Sequence, residues 1–244
     1  AVALIHGVLM DHQMLGDSVQ REDGPLAKLV PADRARAQSL AALTLRHIPR
    51  IDAVLAEFMD HKPPLRALNA VRVCAAEIVL DAIPAHGAVN AAVEIARASQ
   101  KTKHLAGMVN AVGRKLGELD VSALQDLPVP QLPKALRGAI VKAYGVEAAE
   151  AMERAYLERP PVDLSLRDPA KAAEWAEKLG AELLPTGSLR LHQPGQISAL
   201  DGFEDGAWWV QDAAAAMPVR LMGDLSGKRV LDLCAAPGGK TMQL

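Results

Sequence analysis

Val230-Leu231-Asp232-Leu233-Cys234-Ala235-Ala236-Pro237-Gly238-Gly239-Lys240-Thr241 is the stretch that decides the fold of this chain. It opens on Val230 to Leu233, an apolar run with one acid that is typical of a buried strand. A loop of small residues follows, and Lys240 to Leu244 predicts the start of a helix. A strand, a glycine turn and a helix N-terminus together predict a binding site for a nucleotide-like ligand.

Composition sets the class of protein. The chain has 244 residues, of which half are hydrophobic and 23% are charged, so we expect globular domains with a sizeable core. The net charge of -2 gives no overall attraction to nucleic acid. Two distant cysteines, Cys74 and Cys234, favour reduced thiols and a cytoplasmic location. No apolar run reaches about 18 residues and the histidines are scattered, so neither a membrane span nor a metal site is expected.

The first half of the chain predicts a helical bundle. Residues 1 to about 120 are rich in alanine and leucine at helical spacing, without strand alternation. One helix runs from Asp33 toward His47, where Pro49 is expected to end or kink it. Residues 126–133 contain three prolines and predict an extended linker. A single helix from Lys134 to Arg159 is expected to follow.

The second half predicts a small α+β unit that leads into the terminal motif. Val162 to Arg167 alternates with period two, which predicts a strand. Asp168 and Pro169 are a typical helix start, and Gly180 a typical helix end. Leu189 to His192 and Ala207 to Val210 predict two further short strands, and a helix over residues 212–222 precedes the terminal segment.

Cations without any acid cluster between Ile95 and Gly117. They are Arg97, Lys101, Lys103, Arg114 and Lys115. One interpretation is a surface that contacts RNA phosphates without reading sequence. The alternative is an ordinary solvated helix face, which most charge runs are. Arg159, Arg167 and Arg190 are further RNA candidates that could equally form salt bridges. Aromatic residues make up only 3%, so base stacking cannot be widespread.

Several stretches resemble one known family. Asp232 to Thr241 resembles the first S-adenosylmethionine motif of the Sun/RsmB family of bacterial ribosomal RNA cytosine-5 methyltransferases. The segment that precedes this motif in the family is matched by Phe203-Glu204-Asp205-Gly206 and Val210-Gln211-Asp212. The family's N-terminal NusB-like domain is matched by Ile83-Pro84, Val89-Asn90, Ala92-Val93 and Val109-Asn110-Ala111-Val112. Gly113 departs from the usual bulky apolar residue, which predicts looser packing there.

The resemblance implies a multidomain fold and a cofactor site. It predicts an all-α NusB-like bundle over 1–126, an intermediate α+β domain over 127–200, and the start of an α/β Rossmann-like methyltransferase domain over 201–244. It further implies ribosomal RNA of the small-subunit 16S type as partner, with the oligomeric state left open. The methionine end of S-adenosylmethionine would be lined by Cys234, Ala235, Ala236, Pro237, Gly238, Gly239 and Lys240.

The residues that attack the base are not expected in this chain. Cytosine-5 methylation needs a thiolate that adds to the base. The resemblance places that thiolate in downstream Pro-Cys and Thr-Cys motifs, which this sequence lacks. Cys234 is therefore interpreted as a small packing residue of the loop, and Cys74 as a core residue. We expect a chain trimmed at its N-terminus, cut after the first motif, and inactive by itself.

The sequence leaves two alternatives open. Gly239-Lys240-Thr241 matches the end of a phosphate-binding G-x-x-x-x-G-K-[ST] loop, which would make the protein a nucleotide hydrolase. Cys234, however, occupies the position of the first glycine, and Pro237 removes an amide that would contact phosphate. The other alternative is a non-catalytic NusB-like module for RNA binding or antitermination, which would lack the terminal loop.

Overall fold

The structure, a computed structural model, describes residues 1–119, 127–192 and 195–244. These residues form two compact units, Ala1–Glu158 and Arg159–Leu244. The predicted boundary at 126 lies outside the described residues. The predicted boundary at 200 falls inside the second unit, so the structure divides the chain at a different place from the sequence pattern.

The first unit is helical, as predicted. Its helices before the linker are α1 Val2–Met10, α2 Leu15–Gln20, α3 Pro31–Ala56, α4 Leu65–Ala75, α5 Ala85–Arg97 and α6 Ala106–Gly117. α4 continues into a π-helical turn, Ala76–Leu80. Pro49 lies inside α3 instead of ending it. Buried residues on both sides of Pro49, among them His47 and Ile51, hold that face of α3 in the core, so packing overrides the local effect of proline.

α4 is the central helix of the first unit. Every residue from Ala67 to Ala75 is buried, because α1, α3, α5 and α6 all pack against this helix. The buried Arg72 donates to both carboxylate oxygens of Asp52 at 2.7 Å and to the Asn69 Oδ1 at 2.9 Å. The charge of Arg72 is therefore compensated inside the core, as burial of a guanidinium requires.

α5 and α6 approach each other unusually closely at two glycines of α6. A Cβ on Gly113 would lie 2.8 Å from the Val89 Cγ2, and a Cβ on Gly117 would lie 2.7 Å from the Ala85 Cβ. Because Gly113 faces a residue early in α5 and Gly117 an even earlier one, the two helices run antiparallel. The expectation that Gly113 loosens the packing is wrong, since its missing side chain permits the contact.

Replacing Gly113 with alanine is expected to destabilise the first unit by about 1 kcal/mol. Overpacking against Val89 costs about 1–3 kcal/mol, and the better helix propensity of alanine returns up to about 1 kcal/mol. Gly107→Ala is the matched control in α6, because no atom lies within 4 Å of its Cβ position. Urea unfolding followed by circular dichroism tests this, and equal stability of the two variants would contradict the close-contact account.

A helical hairpin completes the first unit. It consists of α7 Lys134–Tyr144 and α8 Val146–Ala155, so the predicted single helix from Lys134 to Arg159 is wrong. Gly145 separates the two helices with φ of +89°, a conformation that only glycine adopts readily. The buried Glu153 carboxylate ties the hairpin to the preceding chain, because it accepts from the Leu132 N–H at 2.8 Å and the Arg137 Nε at 2.9 Å.

The second unit is built on a four-stranded antiparallel sheet. Its strands are β1 Val162–Leu166, β2 Glu182–Leu183, β3 Leu189–Leu191 and β4 Trp208–Val210, in the order β2-β3-β1-β4. The strands predicted over residues 162–167, 189–192 and 207–210 are confirmed, whereas the two-residue β2 was missed because it is too short to show alternation. β4 pairs directly with β1, so the predicted boundary at 200 would divide one sheet.

Two helices accompany the sheet, α9 Ala172–Leu179 and α10 Ala213–Leu221. Asp168 begins the turn before α9 by accepting from the Ala170 N–H at 3.1 Å, and Gly180 ends α9 in the left-handed conformation, as predicted. One face of the sheet forms an apolar core with α9. On β1, Asp163 and Ser165 alternate with the leucines of that core and belong to the opposite face.

The terminal segment departs from the sequence prediction. Val230 to Leu233 forms no strand, and Leu231 and Leu233 are 79% and 89% exposed. A strand of this apolar type needs hydrogen-bonded neighbours on both sides, and within the described ranges no strand pairs with it. The predicted helix start at Lys240 is a single 3-10 turn, Thr241–Gln243.

Candidate functional site

The terminal loop and the end of β4 together enclose a cleft of about 370 Å³. All seven residues from Cys234 to Lys240 line it, so the structure brings the complete set of predicted cofactor contacts together. The opposite wall consists of Trp209, Val210, Gln211, Asp212 and Ala215, with Met242 beside the loop. The volume lies within the range of about 300–1,000 Å³ that small-molecule sites occupy.

Gln211 joins the two walls of this cleft. Its Oε1 accepts from the Trp209 Nε1 at 3.0 Å, and its Nε2 donates to the Gln243 Oε1 at 2.7 Å. Gln243 in turn donates to the Ala216 carbonyl of α10 at 3.2 Å. Nothing in the sequence indicated a role for Gln211 in the site, although the triplet Val210-Gln211-Asp212 matched a family segment in this part of the chain.

Gly238 leaves the cleft open on the side of the loop. Its φ is +113°, in the left-handed region that disfavours any side chain, and no atom lies within 4 Å of its Cβ position. A ligand can therefore approach the Gly238 backbone without a steric barrier. Gly239 differs, because its Cβ position already lies in ordinary contact with Gln211 at 3.5 Å.

Asp232 closes the loop instead of facing a ligand. Its Oδ2 accepts from the Thr241 hydroxyl at 2.7 Å and its Oδ1 from the Cys234 N–H at 3.0 Å. These hydrogen bonds, the Thr241 hydroxyl first, hold the pKa of the Asp232 carboxyl below its usual value. The acid that lines the cleft is Asp212, which also caps α10 by accepting from the N–H groups of Ala214 and Ala215.

The two cysteines differ sharply in environment. Cys74 is buried in the first unit, as predicted, and burial raises the pKa of its thiol to about 12. Cys234 is exposed beside the cleft, so its interpretation as a packing residue is wrong. Neither cysteine forms a disulfide.

Iodoacetamide at neutral pH should alkylate Cys234 rapidly and leave Cys74 unmodified while the first unit stays folded. The thiolate is the reactive form. Cys234 is exposed, whereas Cys74 is buried and its burial raises the pKa of its thiol. Peptide mass spectrometry after timed quenching measures both rates in one sample, with Cys74 as the internal control. Equal modification of the two thiols would contradict the structure.

The predicted cation cluster is exposed but divided. Arg97, Lys101 and Lys103 lie at and beyond the end of α5, whereas Arg114 and Lys115 lie near the end of the antiparallel α6. The Arg97 guanidinium pairs with Glu94 at 2.9 Å, an acid just outside the stretch that the sequence argument considered. The Lys115 Nζ lies 5.5 Å from the centre of the Phe58 ring. These cations therefore do not form one continuous surface.

The cations of the second unit have different settings. Arg190 donates to both Asp163 oxygens at 2.7 and 2.8 Å, a partner that the sequence argument did not name. This bidentate pair makes Arg190 a structural residue of the sheet. Arg167 is exposed and lines a second cleft, which lies at the end of β1.

Over residues 1–119, 127–192 and 195–244, the structure contains no group of metal-binding side chains. In the same residues, no helix is long and apolar enough to cross a membrane.

Comparison with known proteins identifies the class of the first unit. Residues 3–117 match the model of the NusB family. This range covers α1 to α6, the bundle built around α4. The first unit therefore contains a NusB-family domain, as the paired motifs of α5 and α6 predicted.

Several relatives that match most of the chain are named ribosomal RNA small subunit methyltransferase B. The protein from Xanthomonas campestris pv. campestris is 33% identical over 223 residues, which are 88% of this chain and 51% of the relative. The Citrobacter koseri protein is 29% identical over 94% of this chain and 57% of its own length. The Escherichia coli K12 protein is 30% identical over 89% and 54%, respectively.

The chain is thus similar over 88–94% of its length to proteins of this name, as the motif resemblance to the Sun/RsmB family predicted. It spans about half the length of the curated relatives it matches.

Proposed function

We propose that this chain provides the RNA-binding part and the first cofactor motif of an S-adenosylmethionine-dependent methyltransferase. Its substrate would be cytosine C5 in small-subunit ribosomal RNA, and its place of action the cytoplasm. The observation that carries the proposal is the cleft in which Cys234 to Lys240 meet Gln211 and Asp212. The relatives' names support RNA methylation, and methyltransferases of this kind draw their methyl group from the sulfonium of this cofactor.

The residues of the cleft fit the amino-acid end of that cofactor. The open Gly238 backbone allows close approach, and the Asp212 carboxylate is suited to the cofactor's ammonium and sulfonium charges. The Asp232 carboxylate holds the loop through Thr241 and Cys234. In this proposal, the chain's own residues bind and orient the methyl donor.

The cleft fits a nucleoside triphosphate poorly. Asp212 lines it and would repel a phosphate chain, while Pro237 supplies no amide hydrogen. Lys240 is the only cation among the lining residues that could contact a phosphate chain. The nucleotide-hydrolase alternative therefore has less support than methyl transfer.

A Rossmann-like domain beginning near residue 201 is part of the proposal. The exposed leucines of the terminal segment are suited to a central position in a parallel sheet, where strands are covered on both faces. We propose that Val230 to Leu233 pairs as a strand in a protein of the relatives' length. Hydrogen exchange should then show strong protection of these amides in the longer protein and weak protection in this chain.

Catalysis is expected only in the longer protein. Incubation with labelled S-adenosylmethionine and 16S ribosomal RNA should give no methylation by this chain and C5-methylcytosine with the longer protein. A product at another atom would contradict the proposed chemistry.

The NusB-family match also favours a second candidate, a non-catalytic module for RNA binding or antitermination. The two candidates differ in the terminal loop, because a pure NusB module has no use for a methyl-donor cleft. A longer gene product that continues with Pro-Cys and Thr-Cys motifs would favour the enzyme.

A further inference from the structure

A groove crosses the close contact between α5 and α6 in the first unit. It measures about 390 Å³ and is lined by Ala85, His86, Val89, Asn90, Asn110, Arg114, Gly117 and Glu118. The groove exists because Gly113 and Gly117 let the two helices approach closely. Its floor is apolar at Val89, and its walls are polar.

The polar residues of the walls are arranged as two facing ladders. His86 and Asn90 are four residues apart on α5, and Asn110 and Arg114 are four residues apart on α6. Side chains at this spacing lie on one helix face with Cβ atoms about 5–6 Å apart. The antiparallel contact sets the two ladders side by side, so that four polar groups converge on one groove.

These four side chains are exposed and have no hydrogen-bond or ion-pair partner within the described part of the chain. The chain contains three asparagines, of which Asn69 is buried. Both exposed asparagines therefore lie in this groove. Asn90 and Asn110 belong to the Val-Asn pairs that carried the NusB-like resemblance, and the cofactor cleft does not use them.

We infer that this groove binds one unpaired nucleotide of the RNA substrate, an inference that rests on the RNA-binding role proposed above. An asparagine amide both donates and accepts, and so can pair with a ribose 2′-hydroxyl. The Arg114 guanidinium contacts the adjoining phosphate. The His86 ring provides a surface on which a base stacks.

The charge distribution agrees with a nucleotide that enters with its phosphate toward Arg114. Glu118 is the one acid among the lining residues, and it lies one helical turn beyond Arg114, where it would exclude phosphate from that end. Arg97 is the last residue of α5, and Lys101 and Lys103 lie beyond that end of the helix, where these cations can contact the next part of the RNA strand. The two separate groups of cations would then contact phosphates of the same RNA strand.

Fluorescence anisotropy with a labelled 12-nucleotide single-stranded RNA, and with DNA of the same sequence, tests this inference on the full 244-residue chain. Asn90→Ala and Asn110→Ala should each weaken RNA binding roughly three- to tenfold. Binding of the DNA should change little, because the 2′-hydroxyl is absent. Arg114→Gln should weaken both and lower the salt dependence by about 0.7 in log–log slope.

Matched controls are Gln100→Ala and Lys142→Gln, which alter exposed residues outside the groove and should bind RNA like the parent. Asparagine variants that bind RNA like the parent, or that lose DNA binding equally, would overturn the inference. If only Lys101→Gln and Lys103→Gln weaken binding, the groove assignment is wrong while the proposed RNA-binding role stands. A change in self-association alone would make the groove a protein surface and also overturn it.

Discussion

Arg190→Met is expected to destabilise the second unit by about 3 kcal/mol. The substitution removes both hydrogen bonds to the Asp163 carboxylate, whose side chain is only 2% exposed. Breaking a buried ion pair costs about 3–5 kcal/mol because a charge remains uncompensated. The lower figure applies here, since Arg190 itself is 32% exposed and the Ala213 N–H still donates to Asp163 at 3.0 Å.

Tryptophan fluorescence during urea unfolding measures this effect selectively, because all three tryptophans, Trp175, Trp208 and Trp209, lie in the second unit. Arg167→Met is the matched control, since Arg167 is exposed just after β1, the strand that carries Asp163, and its loss should cost well under 1 kcal/mol. Equal stability of the two variants would show that the Asp163–Arg190 pair contributes nothing.

The same pair predicts how stability depends on pH. The Arg190 hydrogen bonds lower the pKa of Asp163 in the folded state, against the opposing effect of burial. A lowered folded pKa means that this stabilisation is fully present above the unfolded value of about 3.9 and is lost as the pH falls through the folded pKa. In Arg190→Met, the free energy of unfolding, followed by tryptophan fluorescence, should therefore fall less steeply as the pH is lowered.

Gly238→Ala is expected to weaken S-adenosylmethionine binding roughly 5- to 150-fold in the protein of the relatives' length. Its φ of +113° is strained for any L side chain by about 1–3 kcal/mol, which corresponds to this range. The added methyl group would also occupy the open side of the cleft. Isothermal titration calorimetry gives the affinity directly.

Gly239→Ala separates the effect of backbone strain from the effect of adding a methyl group to the loop. It lies in the same loop without positive φ, and its Cβ position has ordinary van der Waals room beside Gln211. This variant should lose much less affinity than Gly238→Ala. Equal losses in both would mean that the strained backbone of Gly238 is not what shapes the site.

Helices with strong periodicity could be predicted from the sequence, as could the strands that alternate clearly. β1 and β3 followed from alternation, and the start of α9 from Asp168 and Pro169. Where tertiary packing opposed the local preference of a proline or a glycine, the sequence-based prediction was wrong. Pro49 stays within α3 because the core holds both of its flanks, and Gly113 tightens the α5–α6 contact.

The sequence indicated the loop that lines one wall of the cleft but not the residues of the opposite wall. Asp232 to Thr241 pointed to the loop because this stretch resembles the first S-adenosylmethionine motif of the Sun/RsmB family. The opposite wall could not be derived, since β4 precedes the loop by some twenty residues and only folding brings Gln211 to Gln243. Arg190 was likewise ambiguous, because its partner Asp163 lies on a different strand.

The most direct test of the central claim is calorimetric titration of S-adenosylmethionine and of ATP into the protein of the relatives' length. The account predicts saturable uptake of S-adenosylmethionine and none of ATP, with uptake reduced by Gly238→Ala. A protein that binds no S-adenosylmethionine, or that prefers ATP, would contradict the assignment of Cys234 to Lys240 as a methyl-donor site.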